Sequence, residues 1–210
     1  MEWKEWKKIY EEILKDFGYS KKKDEESARI AKKLSLNRKV NENYLKNIIE
    51  GKIVTVCGAA ISEKDIEKVE GVIISADETT SFLIKKGIFP DIITTDLDGD
   101  VEDILKTNEK GSLVIVHAHG DNIELLKNYL GKFKGNIMIT TQAKPSHGIY
   151  NFGGFTDGDR AYCIAKHFNA RKINLVGFDF SNPIKKEGKN LENKRKKLEW
   201  AKKIMDTCIQ

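Results

Sequence analysis

The spacing of apolar positions changes once along the chain, near Lys52. Before it, Trp3, Trp6, Tyr10, Ile13 and Phe17 recur at steps of three and four, which places them on one face of a helix that Gly18 ends. A second helix is predicted after Lys23, with Ala28, Ile30, Ala31 and Leu34 as its apolar residues, and a third over about 41–49, closed by Gly51. No strand is legible in residues 1–50, which read as a helical N-terminal segment, a cap or a dimerisation element. After Lys52, short apolar β-rich runs at 53–57, 72–75, 91–95, 113–117, 136–140 and 173–178 alternate with helical stretches around 64–69, 79–86, 101–108, 123–130 and 159–168. Near-continuous apolar strands separated by helices predict a mostly parallel sheet covered on both faces. The expectation is a doubly wound α/β domain over 51–210, with its ligands outside the carboxyl ends of the strands. The tail from Lys185 is Lys-rich and then helical, with Leu198, Ala201, Ile204 and Met205 as its apolar face; Gly188, Lys189 and Asn190 read as a loop before it.

Composition narrows the class. With 210 residues, 40% of them hydrophobic, the chain is long enough for one well-buried core plus an appendage. A net charge of +5 with acids interleaved among the bases leaves no basic stripe, so a nucleic-acid partner is not expected. Cys57, Cys163 and Cys208 lie far apart without a C-x-x-C pair, which excludes a disulfide framework or zinc ribbon and fits a reducing compartment. No apolar run approaches the ~18 residues of a membrane span. The first residues carry acids and lack the apolar region of a signal peptide, so a cytoplasmic protein is expected. Charged residues at 33%, mostly Lys and Glu, with three prolines, match a heat-adapted composition.

Polar residues collect after the predicted strands, and the strand-end rule makes those positions the place to look. The first strand runs into Gly58-Ala59-Ala60-Ile61-Ser62, small residues that let backbone N–H groups approach a phosphate or simply pack tightly. This is neither a Walker A loop nor G-x-G-x-x-G. Asp77, after the second strand, reads either as a ligand contact or as a helix N-cap. The sharpest signal follows the third strand, Thr95-Asp96-Leu97-Asp98-Gly99-Asp100. Carboxylates this dense repel one another unless a cation is present. If the extended backbone continues, Asp96 and Asp98 project to one side, and two hard oxygen ligands suit Mg²⁺ shared with phosphate oxygens and water. The alternative is a solvated Asp-Gly turn with Asp100 capping the next helix.

The fourth strand ends in His117-Ala118-His119-Gly120-Asp121-Asn122, where His119 and Asp121 face a phosphorylated substrate or a metal, or Asp121 caps the following helix. With His147 and His167 the only other histidines, a three-histidine zinc site is not expected. After the fifth strand come Lys144 and an aromatic, Gly-rich loop that leads into Thr156-Asp157-Gly158-Asp159-Arg160. Thr156 and Asp159 have the spacing of a capping box. Asp157 as a further metal-facing carboxylate and Arg160 as a phosphate contact would account for the rest. The sixth strand ends in Gly177-Phe178-Asp179-Phe180-Ser181, another acid on the same rim.

Taken in order, Ala76-Asp77, Pro90-Asp91, Thr95-Asp96-Leu97-Asp98 and Thr156-Asp157 opening a helix resemble the catalytic domain of thiamine pyrophosphokinases over roughly 52–180. The chain departs from that pattern at Glu78-Thr79, where the family has paired glycines, and at Gly99, where it has Ser; no β-sandwich is legible after 180. Three longer motifs, Thr95-Asp96-Leu97-Asp98-Gly99, His117-Ala118-His119-Gly120-Asp121-Asn122 and Gly154-Phe155-Thr156-Asp157-Gly158-Asp159-Arg160, are similar to a related group, the archaeal-type 6-hydroxymethyl-7,8-dihydropterin pyrophosphokinases.

That resemblance implies a Rossmann-like core and Mg²⁺-dependent transfer of a diphosphoryl group from ATP to the pterin hydroxymethyl. AMP is released, on the way to tetrahydromethanopterin or folate-type carriers. It implies small-molecule partners, no nucleic acid and no membrane, with a homodimer suggested by the apolar N-terminal face. Carried onto this sequence, Asp96, Asp98 and Asp157 would hold Mg²⁺, and Asp121 or Asp77 would hold a second metal or orient the acceptor. Arg160 and Lys144 would contact phosphates, with His119 as a phosphate or acid–base group. Gly58, Ala59, Ser62 and Thr156 would border the nucleotide, and Phe152 or Phe155 would stack on a flat ring or pack in the core. Two rivals stand beside this reading. Asp-Leu-Asp-Gly also resembles the signature of haloacid-dehalogenase-type phosphatases, whose first Asp is a phosphorylated nucleophile; there it closes the first strand, whereas two strand–helix units precede it here. The other rival is a non-catalytic nucleotide-binding module, which needs no carboxylate rim.

Overall fold

Consecutive side chains of the central strands divide between two cores, because a pleated strand sends neighbours to opposite faces. Leu113 and Ile115 join Val54, Val56, Ile74, Ile92 and Met138 on one face, whereas Val114 and Val116 join Ile93, Ile137 and Ile139 on the other. Burial on both faces is why these runs are almost continuously apolar. Each buried large side chain contributes about 1.5–3 kcal/mol relative to exposure.

A computed structural model describes residues 1–35, 39–183 and 190–209. The expected loop at Gly188 and Lys189 lies outside the described residues. Strands β1 (Ile53–Cys57), β2 (Val72–Ala76), β3 (Ile92–Thr95), β4 (Leu113–Ala118), β5 (Ile137–Thr141) and β6 (Lys172–Val176) form one parallel sheet in the order β5-β4-β3-β2-β1-β6. The helices are α1 (Trp3–Phe17), α2 (Lys21–Leu34), α3 (Glu42–Ile49), α4 (Thr79–Lys85), α5 (Val101–Glu109), α6 (Ile123–Tyr129), α7 (Asp157–His167) and α8 (Leu191–Ile209). Leu45 and Ile49 of α3 and Ala161, Ile164 and Ala165 of α7 cover one sheet face; Ala31 of α2, Ile104 of α5 and Leu126 of α6 cover the other. The sheet is doubly wound, as the alternation of patterns predicts.

The apolar face read from the sequence of α1 is used within the chain. Trp6, Tyr10 and Ile13 pack with Cys163 of α7 and Trp200 and Ile204 of α8, and Gly18 ends α1 in the left-handed conformation at φ 66°. Two expectations change. The stretch expected as a helix over 64–69 is a 3-10 helix, Glu63–Lys68, fixed by a Ser62–Asp65 capping box and burying no residue, so no apolar stripe favours a full α-helix. Helix α2 buries Asp24, Ser27 and Ala31, while Leu34 is 44% exposed, because its inner face meets polar partners. Asp24 accepts from Tyr10 Oη at 2.6 Å, Gly120 N at 2.7 Å and Gln142 Nε2 at 2.9 Å. This ties α1, α2, the loop after β4 and the end of β5 to one carboxylate.

Among the described residues no helix is long and apolar enough to cross a membrane. The chain runs from β1 to β5 in one direction and then places β6 on the far side of β1. That reversal opens a crevice at the carboxyl ends of β1 and β6.

Candidate active site

Asp96 follows β3, and the next residue, Leu97, is left-handed at φ 70°. The backbone turns there, and Asp98 N donates to Asp96 Oδ1 at 3.2 Å in a tight turn. The extended continuation that would set Asp96 and Asp98 on one side is therefore broken. The residue that joins Asp96 is Asp77: one oxygen each of Asp77, Asp96 and Asp157 lies within 4.8 Å of the other two. Asp77, itself at φ 43°, is 6% exposed and does not cap α4. It extends the β2–β3 ladder, donating from its N–H to Thr94 O at 2.7 Å, and its Oδ1 accepts from Thr95 Oγ1 at 2.5 Å. Asp157 opens α7 behind the Thr156–Asp159 capping box, and Thr94 Oγ1 donates to its carbonyl at 3.0 Å. Asp98 is on the rim of the neighbouring cleft, and Asp100 caps α5 by accepting from Asp103 N at 3.2 Å.

Three acidic groups in one place must be balanced. Burial, then repulsion from Asp96, pushes the Asp157 carboxyl well above the usual carboxylate range, opposed by Arg160 Nη1 at 2.7 Å. Burial pushes Asp96 upward too, but His119 Nε2 at 3.3 Å, Arg160 and Lys197 outweigh it and hold this carboxyl below its ordinary value. The expected phosphate contact, Arg160, is 2% exposed and gives Nη1 to Asp157 and Nη2 to the Phe155 carbonyl at 3.2 Å. Its guanidinium orients the first turn of α7. Gly154, at φ 93°, is needed for that approach, since a Cβ on it would meet Arg160 Cα at 2.3 Å.

Asn122 holds the His119 side of the site. Its Nδ2 donates to Asp96 O at 2.8 Å and His117 O at 2.7 Å, and its Oδ1 accepts from His119 N at 3.1 Å. Asn122, and not Asp121, stands at the start of α6. Asp121 is exposed beside Tyr19, Lys23 and Asp24 in a smaller recess that also touches His119. His117 is stacked near His119 at 5.9 Å, and burial, then Arg160 and His119, drives its pKa well below the ordinary imidazole value.

Beside the carboxylates lies a cleft of about 220 Å³, lined by Gly58, Ala59 and Ala60 after β1, by Gly177, Phe178, Asp179 and Phe180 after β6, and by Lys194, Lys197 and Leu198 of α8. Thr156, Asp157, Asp77 and Asp98 face it as well. Four N–H groups of the turn after β1 are used internally: Gly58 donates to Val176 O, Ala60 to Gly177 O, Ile61 to Gly58 O and Ser62 to Asp65. Gly58 serves close packing, because a Cβ there would lie 2.7 Å from Gly177 O. Ser62 caps the 3-10 helix, and Lys144 is exposed and is not among the cleft-lining residues. Phe152 and Phe155 are buried in the cores; Phe178 and Phe180, 5.8 Å apart, are the aromatic rings at the cleft.

Sequence reading missed Asn122, Lys194 and Lys197 as site residues. The two lysines sit in a Lys-rich helix far along the chain from Asp96, with nothing local to separate them from solvated lysines. Asn122 had a signal, as the last residue of the His117–Asn122 motif, beside an acid that took the attention.

The model of the family described as 6-hydroxymethylpterin diphosphokinase MptE-like matches residues 28–185. Three curated relatives each carry the name 6-hydroxymethyl-7,8-dihydropterin pyrophosphokinase. The protein of Methanocaldococcus jannaschii is 41% identical, over 98% of this chain and 95% of its own length. Those of Pyrococcus furiosus and Methanothermobacter thermautotrophicus are 38% and 36% identical, each over 98% of this chain and 94% of the relative. Among solved structures, the MAf glycosyltransferase from Magnetospirillum magneticum AMB-1 aligns with 77% of this chain and 29% of its own, at 17% identity and a TM-score of 0.41, a distant likeness. With most of its length matched by the family model and nearly all of it by relatives above one-third identity, the chain belongs to the 6-hydroxymethylpterin diphosphokinase MptE-like family.

Proposed function

We propose that this chain transfers a diphosphoryl group from ATP to the hydroxymethyl oxygen of 6-hydroxymethyl-7,8-dihydropterin, releasing AMP, with Mg²⁺ as the required ion. The observation that carries the reading is the convergence of Asp77, Asp96 and Asp157 beside a cleft at the reversal of strand order. The family and the relatives' names supply the acceptor.

The donor set fits a hard divalent cation: three carboxylates, one oxygen from each within reach of a common point. The upward push on Asp157 from burial and from Asp96 is the charge imbalance that such an ion relieves. Bound there, Mg²⁺ would neutralise charge on the oxygens of the transferring phosphates. The chain's own groups position and balance. Arg160 fixes the Asp157 carboxylate, His119 and Asn122 fix Asp96, and Thr95 fixes Asp77. Lys194 and Lys197 bring positive charge to the cleft, and Phe178 and Phe180 offer flat faces to a ring. The acceptor oxygen bonds to the β-phosphorus as its hydroxyl proton is released to water, the bond from that phosphorus to the α–β bridging oxygen breaks, and AMP departs with that oxygen. Positioning and electrostatic balance are the main demands of such a transfer.

The product would feed the assembly of tetrahydromethanopterin or folate-type carriers in the cytoplasm. The phosphatase reading fits less well, since Asp96 follows the third strand of the sheet and is hemmed by two further carboxylates. The test is a product assay with MgATP and 6-hydroxymethyl-7,8-dihydropterin, with and without EDTA. Metal-dependent AMP together with diphosphorylated pterin is expected. Phosphate alone would overturn the reading in favour of a phosphatase, and AMP formed only with thiamine would overturn the acceptor.

A further inference from the structure

Cys163 and Cys208 are 45 residues apart in sequence, yet their Sγ atoms meet at 3.1 Å. Cys163 is on α7, one turn beyond Arg160, and is fully buried; Cys208 is in the last turn of α8 and partly exposed. Neither thiol takes part in the chemistry proposed above, and the pair joins two helices that border the cleft. The two thiols are also unequal. Their mutual hydrogen bond, followed by burial, raises the Cys163 thiol well above its ordinary value, while the same bond lowers that of Cys208. Cys208 is thus the more accessible sulfur of the pair and the one whose deprotonation, to the form that reacts with oxidants, is favoured over that of Cys163, the resolving thiol directly behind it. Cys57 is different: it is buried, and burial pushes its thiol up to about 12.

We propose that Cys163 and Cys208 form a redox modification site that closes to an intrachain disulfide when the protein meets a peroxide. In the first step the Cys208 thiolate attacks one peroxide oxygen, the O–O bond breaks, and a proton completes water, leaving Cys208 as the sulfenic acid. In the second, Cys163 sulfur attacks the Cys208 sulfur, its proton and the hydroxyl leave as a second water, and the S–S bond forms. Two thiols are oxidised by two electrons and one peroxide is reduced to two waters. The bond would join α7, whose first turn carries Asp157 and Arg160, to α8, whose Lys194 and Lys197 line the cleft. Sequence spacing hides the pair, because the helices are brought together only by packing.

The experiment treats the intact chain with an equivalent of hydrogen peroxide, counts thiols in denaturant and maps peptides without reduction. The expected result is loss of two of the three thiols, a mass lower by two hydrogens, and a cross-linked peptide pair containing Cys163 and Cys208. Closing a loop of this length should raise Tm by about 5–10 °C, reversibly with dithiothreitol. Cys208→Ser, at a partly exposed site, should keep its remaining thiols and show no shift, and Cys57→Ser should still close. Three surviving thiols, Cys208 carried on to sulfinic acid beside a free Cys163, or Cys208 joined to a second chain would each overturn the proposal.

Discussion

Gly99 lies against Asp77 so closely that a Cβ added to it would stand 2.2 Å from the Asp77 Oδ2. The Gly of the Asp-Leu-Asp-Gly motif therefore leaves room for a carboxylate that arrives from another strand. Its backbone is not left-handed, so Gly99→Ala adds a steric load without backbone strain. That variant should fold, displace Asp77, and lower kcat by at least about tenfold with a raised Mg²⁺ requirement, since small misplacements of catalytic groups are costly. A Mg²⁺ titration of AMP release checks it; an unchanged titration would remove Asp77 from the metal site.

Asp96 and Asp98 should separate on substitution. Asp96→Asn removes a member of the converging triad and is expected to reduce turnover by about 10³-fold while the chain stays folded. Asp98 lies on the rim beyond the Leu97 turn, so Asp98→Asn should cost markedly less. Steady-state rates beside thermal melts decide this, and equal losses would restore the pair read from sequence.

The raised Asp157 carboxyl makes the metal-free protein sensitive to pH. A carboxyl whose folded pKa lies above its unfolded one holds extra protons in the native state, so stability falls as pH rises from the ordinary carboxylate value through the raised one. Mg²⁺ would compete with that proton and bind more tightly as it is lost. Melts with EDTA should therefore lose Tm as pH rises above about 4, the ordinary carboxylate value, relative to melts with Mg²⁺. A constant gap over that rise would dissociate Asp157 from the ion.

Lys197→Ala tests the cleft. Lys197 lines it and helps hold the Asp96 carboxyl low. Its loss should raise KM for ATP by about tenfold, in line with a charge-assisted contact of about 1.5 kcal/mol, and barely change Tm. Initial rates at varied ATP measure it, and an unaltered KM would place the nucleotide elsewhere.

Tyr10→Phe separates scaffold from chemistry. It deletes the 2.6 Å hydrogen bond to buried Asp24, leaving that carboxylate short of one donor. A loss of about 1–3 kcal/mol in urea unfolding is expected, with kcat close to normal.

The inner strands were legible because both of their sides are buried, so their apolar runs stand out against the helices; β6, at the sheet edge, is partly exposed and kept a weaker pattern. Asp96 and Asp157 were legible for a similar reason: acids crowded at strand and helix ends. The partnership was not. Whether Asp77 or Asp98 meets Asp96 turns on the φ of Leu97, and a leucine in the left-handed region is unfavourable locally and announces nothing in sequence. Tertiary packing also hid Asp24, a charged residue on the buried face of α2 that satisfied hydrogen bonds make tolerable. The apolar faces of α1 and of α8 were each visible, but that the two pack against one another was not.

The strand order has a consequence for how the molecule comes together. Pairings from β1 through β5 each join consecutive strands and close short loops, whereas β1 must keep an open edge until β6 reaches it from the far end of the domain. Loop-closure entropy makes that contact the slow one. A nascent chain can thus assemble five-sixths of its sheet and still have no cleft, and partial unraveling from the β6 side would erase the cleft while most of the core survives. Nucleotide should therefore act as a late clamp, protecting the amides of β1 and β6 from hydrogen exchange far more than those of β4 and β5.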